Sequence, residues 1–163
     1  MIIGILSDSH GRALRTRDAI ALLCDTGAEV LIHLGDVETE AVLDELAGHP
    51  ARLVFGNCDW DVSSLTDYAT CLGIRVDHPL GVLEHEDIRI AFTHGDRASL
   101  LAGAIEDGVD YLLHGHSHQV HDELVGQTRV INPGALHRAA RYTVASLDLD
   151  GGVLSFHELP RRR

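Results

Sequence analysis

No stretch of about 18 consecutive apolar residues occurs in the sequence, so a membrane-spanning helix is not expected. No positively charged start precedes an apolar segment, and a secretory leader is not expected either. Cysteine is scarce. Cys24, Cys58 and Cys71 are too few and too scattered for a disulfide framework or a paired-cysteine zinc knuckle, and reduced thiols in a cytoplasm are the expectation. Positive charge is also in short supply: 13 Lys+Arg stand against 25 Asp+Glu, a formal net charge of -12. The resulting field repels long nucleic acids and acidic membrane surfaces, while a small anion captured locally stays within reach. Internal repeats, linkers and low-complexity segments are lacking, and Arg161-Arg162-Arg163 reads as a solvated terminus rather than a signal.

What is present suits an ordinary globular protein. At 163 residues, 45% hydrophobic and 23% charged, the chain is long enough to bury a sizeable core, and one domain spanning residues 1–163 is expected. The apolar run at residues 2–6 reads as a buried strand, residues 12–24 as a helix with Leu14, Ala19, Ile20, Leu22 and Leu23 on one face, and residues 29–34 as a second strand. Residues 38–46 read as a helix carrying Val42, Leu43 and Leu46, and residues 52–55 as a third strand. This β-α-β-α-β order predicts a parallel sheet, whose functional residues collect beyond the carboxyl ends of the strands.

Residues 61–70 are polar and read as irregular or weakly helical. From residue 72 onward the pattern predicts hairpin character at residues 74–77, 81–85 and 88–93, then a helix at 98–106 and a strand at 109–113. Further antiparallel strands are expected at 120–124, 129–131, 142–149 and 153–159, with Asn132-Pro133-Gly134 as a sharp loop. An α/β fold with two mixed sheets flanked by helices, a four-layer α-β-β-α sandwich, accounts for this order.

Seven residues stand out at predicted strand ends: Asp8, His10, Asp36, Asn57, His94, His116 and His118. All are oxygen or imidazole ligands. A mixed set of that kind suits Mn, Fe, Zn, Co or Ni better than Ca or Mg. Seven are too many for one tetrahedral zinc; they suit two ions bridged by a carboxylate, with positions left for water and substrate. By contrast His33, His49, His78, His85, His121 and His157 fall inside strands or beside prolines and read as structural, as does His114.

The order Asp-x-His, Gly-Asp, Gly-Asn-x-Asp, His-Gly, Gly-His-x-His resembles that of the calcineurin-like metallophosphoesterases, and in length and its Gly56-Asn57-Cys58-Asp59 block the chain looks most like the small bacterial and archaeal phosphodiesterases. The resemblance implies a metal-dependent phosphodiesterase using two divalent transition-metal ions, manganese foremost, with Ni, Zn, Fe and Co as alternatives. It puts Asp8, His10 and His118 on one ion, Asn57, His94 and His116 on the other, and Asp36 between them, with Asp36, Asn57 and His10 as the catalytic set and a metal-bridging hydroxide as the attacking group.

Small phosphoesters are the implied substrates. A phosphomonoesterase or nucleotide pyrophosphatase is the alternative on the same centre, and a non-catalytic scaffold the alternative outside catalysis; homo-oligomerisation is left open. Where larger members read Gly-Asn-His, this chain has Cys58, a poorer proton donor. Asp59 is expected to support its loop or a metal-bound imidazole, and His137 and Arg138, beyond a block resembling Asn-Pro-Gly-Ser, are weak candidates for phosphate contact.

Overall fold

The computed structural model describes residues 1–160, so the arginine tail expected to be solvated lies outside the described residues. Eleven strands and four helices follow one another as β1 (Ile2–Leu6), α1 (Ala13–Asp25), β2 (Val30–His33), α2 (Glu40–Leu46), β3 (Ala51–Leu53), α3 (Val62–Cys71), β4 (Arg75–Val76), β5 (Leu80–His85), β6 (Ile88–Thr93), α4 (Ala98–Glu106), β7 (Tyr111–Leu113), β8 (Val120–Val125), β9 (Thr128–Pro133), β10 (Tyr142–Asp148) and β11 (Val153–Leu159). The strands form a six-stranded sheet ordered β11-β10-β1-β2-β3-β4 and a five-stranded sheet ordered β5-β6-β7-β9-β8. Both are mixed.

Burial assigns the layers. Ile3, Ile5, Ile32 and Leu34 from the first sheet meet Ile90, Phe92, Leu113 and Ile131 from the second in one buried cluster. The other face of the first sheet packs through Leu6, Leu31 and Leu53 on Leu23, Leu43, Leu46 and Leu65 of α1, α2 and α3. Across the second sheet, Ala91, Leu112 and Val130 pack on Ala104 of α4. The expected four-layer α-β-β-α sandwich is therefore the fold. Gly4 makes the α1 contact close, since a Cβ there would lie 2.8 Å from Leu31 and 3.1 Å from Leu23. Among the described residues no helix is long and apolar enough to cross a membrane.

Four expectations need correction. Residues 62–71 form a regular helix, because Asp61 caps the Ser64 amide at 3.1 Å and Leu65 and Ala69, one turn apart, bury a narrow stripe. β4 is not part of a hairpin: it pairs in parallel with β3, and two bonds of 2.8 and 2.6 Å from the Arg52 guanidinium to Asp77 fix the position. In the second sheet β6, β7 and β9 are mutually parallel, with α4 as the crossover between the first two, so this half combines crossovers with hairpins. Finally, α1 turns Thr16, Ala19, Ile20 and Leu23 inward while Leu14 is 55% exposed.

Candidate metal centre

Parallel strands deliver their carboxyl ends to one rim, and five such ends, those of β1, β2, β3, β6 and β7, carry the residues singled out above. Backbone bonds join the loops. Asp8 N–H donates to Gly35 O at 3.0 Å, His10 N–H to Asp36 O at 2.8 Å and Gly115 N–H to His94 O at 2.8 Å. The backbone is also unusual here. Asp8, His10, Asp36, His116 and His118 all have φ between 44° and 69°, the left-handed region that non-glycine residues seldom adopt. Such conformations cost free energy and persist where the surroundings hold them.

The side chains converge. Three sets of ligand atoms lie within 4.8 Å of one another: Asp8, His10 and His118; His10, Asp36 and Cys58; Asp8, Asp36 and His94. The individual separations are 3.4 Å for His10 Nε2 to His118 Nε2, 3.1 Å for His118 Nε2 to Asp8 Oδ1, and 3.5 Å from Asp36 Oδ2 to the Nε2 of both His10 and His94. Asn57 Oδ1 stands 3.2 Å from His94 Nε2. Ligands held at about 2.1 Å from one ion are about 3.0 Å apart at a right angle and about 3.4 Å apart at a tetrahedral angle. The observed separations match those edges.

Hydrogen bonding gives a second test of fit. Asp8 is fully buried, and its Oδ1 has no neighbour on the hydrogen-bond scale among the described residues except His118 Nε2 at 3.1 Å; its Oδ2 accepts from Ser7 Oγ at 2.5 Å and from the His116 amide at 3.1 Å. A buried carboxylate oxygen that faces only an imidazole nitrogen is favourable where a cation, imidazolium or metal, stands against it. The imidazoles behave consistently: Nδ1 of His94 meets Leu34 O at 2.7 Å, Nδ1 of His10 meets Glu38 Oε1 at 2.7 Å and Nδ1 of His118 meets Arg138 O at 3.4 Å. Each acceptor fixes the Nδ1–H tautomer and leaves the Nε2 lone pair for a metal. The donor set therefore fits a divalent cation.

Electrostatics in the metal-free chain point the same way. Burial opposes ionisation of Asp8, but contacts with His118 and Ser7 outweigh it and hold its pKa below the usual carboxylate value. The Asp8 contact raises His118 above the usual imidazole value, burial opposing. Burial, together with the nearby Asp36, Glu38 and Asp59 carboxylates, pushes the Cys58 thiol up to about 11.

The remaining sequence candidates take varied places. His116 is exposed, its ring edge-on to His94 with centroids 5.1 Å apart. Cys58 joins the cluster through its sulfur, and its amide donates to Asp36 Oδ1 at 2.8 Å. Asp59 faces no imidazole in its hydrogen bonds; it accepts the amides of Asp36, Gly56 and Glu38 at 2.9, 2.7 and 2.7 Å, and so acts on the loops. His137 lies with its ring centroid 5.5 Å from that of His10 and accepts from Arg12 Nε at 3.3 Å. Arg138 is exposed and contributes its carbonyl to His118.

Sequence reasoning passed over several supporting residues. Glu38, Ser7 and Asn132 escaped it, although Glu38 stands two residues after Asp36 and Ser7 directly precedes Asp8. Asn132 Nδ2 donates to Gly115 O at 2.8 Å and Ser117 Oγ at 3.1 Å, holding the His114–His118 loop from β9. His33 is structural as expected, but it works under the site: Nδ1 accepts from the Gly35 amide at 3.2 Å and Nε2 lies 2.7 Å from Ser9 Oγ. Burial lowers its pKa to about 3.

The chain is similar to several known phosphoesterases. A phosphodiesterase of Methanocaldococcus jannaschii is 33% identical over 139 residues, covering 82% of this chain and 83% of the relative. A probable metallophosphoesterase of Bacillus subtilis is 29% identical over 172 residues, covering 97% and 91%. A solved archaeal phosphodiesterase superposes with a TM-score of 0.89 at 29% identity, covering 98% of this chain and 100% of that one. The sequence model of the calcineurin-like phosphoesterase superfamily domain matches residues 1–152, the whole of both sheets' ligand-bearing loops, and the chain belongs to that family of phosphoric ester hydrolases.

Proposed function

We propose that this chain is a dinuclear metal-dependent phosphodiesterase that hydrolyses small phosphodiesters, residues 1–163 forming its single catalytic domain. The observation that carries the reading is the placement of Asp36, whose Oδ2 lies 3.5 Å from His10 Nε2 on one side and 3.5 Å from His94 Nε2 on the other. A carboxylate between two imidazole groups suits a bridge between two ions. Asp8, His10 and His118 would hold the first ion and Asn57, His94 and His116 the second. Manganese is the favoured metal, with nickel, zinc, iron and cobalt as alternatives for this oxygen and nitrogen set. When bound, two such ions supply Lewis-acid activation of the phosphoryl oxygen and of the attacking water.

The protein's own groups do the rest. Asp36 and Asp8 return negative charge to the centre, so that roughly two positive charges of four remain to attract a phosphodiester into an acidic chain. Asn57 offers its amide oxygen toward the His94 side, and with His10 and Asp36 it forms the catalytic set. Cys58 occupies the position beside Asn57 from which an imidazole would protonate the departing oxygen, and a thiol is a weak donor. Leaving groups that are stable as anions, such as phenolates, are therefore preferred. Among the described residues no inserted segment caps the rim, which leaves the centre open to small esters, and a cytoplasmic location belongs to the same proposal.

The test is a metal-supplemented panel of a bis-aryl phosphodiester, an aryl phosphomonoester and a cyclic nucleotide, run on the native chain and on Asp36→Ala. Diester hydrolysis that is highest with manganese and lost in Asp36→Ala is expected. A preference for the monoester would overturn the substrate class, and undiminished turnover in Asp36→Ala would overturn the dinuclear assignment. A non-catalytic scaffold is disfavoured because it has no need of all seven ligands.

A further inference from the structure

The chain is acidic overall, but positive charge gathers at one edge of the metal centre. All 13 of its basic side chains are arginines. Arg138 and Arg141, with Ser117, His118, Gln119 and Thr143, line a cavity of about 390 Å3. The His118 ring is a shared wall, since the same imidazole belongs to the ligand set with Asp8 and His10. Two further arginines brace the adjoining segment, Arg12 through His137 Nδ1 at 3.3 Å and Arg15 through Leu136 O at 2.6 Å.

The cavity is furnished for a polar occupant. Thr143 is 6% exposed, and its Oγ1 has no hydrogen-bond partner among the described residues although the residue lines the cavity. That hydroxyl is closed off from solvent beside Gly134, so the groups an occupant meets are the exposed Arg138 and Arg141. Arg138 is placed with unusual definition, because its φ of 49° and its carbonyl contact with His118 at 3.4 Å tie its backbone to the metal centre. Arg141 is held loosely, with NH1 3.8 Å from Glu158 Oε2, and can turn to a stronger partner. Guanidinium groups match phosphate oxygens in paired, charge-assisted hydrogen bonds.

We propose that this cavity binds a second phosphate of the substrate, so that the enzyme selects small phosphodiesters whose esterified group is itself a phosphorylated sugar or nucleotide. The inference rests on the phosphodiesterase reading above and adds the substrate class. A lone phosphate would leave most of about 390 Å3 empty, whereas a sugar carrying the phosphate fills it. The scissile ester then lies at the metal side of His118 and the second phosphate on the arginine side.

The experiment compares two chromogenic diesters, the p-nitrophenyl ester of thymidine 5′-phosphate with and without a 3′-phosphate, on the full metal-loaded chain. A KM about tenfold lower for the 3′-phosphorylated ester is expected, shrinking as salt is added. In the Arg138→Gln/Arg141→Gln double variant the ratio of the two KM values should fall to about one. Equal KM values in the native chain, or a ratio that survives the double variant, would overturn the proposal.

Binding of thymidine 3′,5′-bisphosphate to the metal-free chain, followed by calorimetry, gives a readout independent of turnover. Binding that is lost in the double variant is expected, and no binding to the native chain would count against the cavity. If neither ester is hydrolysed with any metal, the phosphodiesterase reading falls and the cavity is judged on the calorimetry alone.

Discussion

Asp59 gives the most informative single perturbation, because one buried carboxylate joins the Asp36–Glu38 loop to its own Gly56–Asp59 loop through three amides. Its Oδ2 accepts the Asp36 amide at 2.9 Å and the Gly56 amide at 2.7 Å, and its Oδ1 accepts the Glu38 amide at 2.7 Å. In Asp59→Ala all three donors lose their partner. Each unsatisfied buried donor costs roughly 1–3 kcal/mol, and since the Gly56 and Glu38 bonds are only partly buried, a total of about 3–4 kcal/mol is expected. In Asp59→Asn the amide oxygen keeps the Asp36 and Gly56 pair, leaving an NH2 group against the Glu38 amide.

That mismatch is a single lost bond. Burial raises the Asp59 pKa, with the Asp36 charge adding and the three amides opposing, so ionised Asp59 carries a desolvation penalty that the asparagine escapes. The net cost of Asp59→Asn should therefore be near 1 kcal/mol. Urea unfolding with chelator measures both values, and a metal titration should show affinity reduced about 10- to 100-fold in each variant. Asp59 is no clamp if Asp59→Asn binds metal as tightly as the native chain while Asp59→Ala is no less stable than it.

Three other outcomes follow from the same geometry. His33 is neutral in the fold because its pKa is lowered to about 3 against an ordinary 6.5; the unfolded chain takes up that proton first, so its contribution is complete above about pH 6.5 and falls by up to about 1.4 kcal/mol per pH unit as pH drops toward 3. Comparing urea unfolding at pH 7 and pH 5 should show a smaller loss in His33→Gln than in the native chain. Glu38→Ala removes the acceptor of His10 Nδ1 and should weaken metal binding about 10- to 100-fold in an equilibrium titration. Gly56→Ala places a Cβ into the Asp36 carboxylate and 2.7 Å from the His94 ring, so metal-induced stabilisation against heat should be abolished.

The candidate ligands were legible in the sequence because they follow apolar strands closely: Leu6 comes before the Asp8 loop, Leu34 before the Asp36 loop and Thr93 before the His94 turn, and a strand's end fixes its next few residues in space. The two-sheet sandwich was legible for a related reason, since its strands are short, apolar and separated by clear turns. What escaped was determined at a distance. The helix at residues 62–71 buries only Leu65 and Ala69 in full, too thin a stripe to outweigh its polar composition in a local reading. The two-residue β4 has no pattern of its own, and its place beside β3 depends on Arg52 and Asp77, 25 positions apart. His33 looked like any strand histidine because the Ser9 hydroxyl beneath which it sits is 24 positions away.

The backbone of the centre carries a further lesson about why the ligands alone do not make a site. Of the eight non-glycine residues with positive φ, five are candidate ligands and two, Glu38 and Arg138, hold the outer nitrogens of His10 and His118. Asp and His tolerate the left-handed region better than most residues, but each still carries a cost of roughly 1 kcal/mol. These strained turns point successive side chains inward from a loop that regular strand or helix geometry would direct to opposite sides. What offsets the strain is the bonding between loops, in which Asp59 and the Asp8, His10 and Gly115 amides each tie one candidate-ligand segment to another while Asn132 holds the His114–His118 loop from β9. The protein's own bonds thus bring the candidate ligands together, and the buried Asp8 Oδ1 faces His118 Nε2 at 3.1 Å within the same cluster.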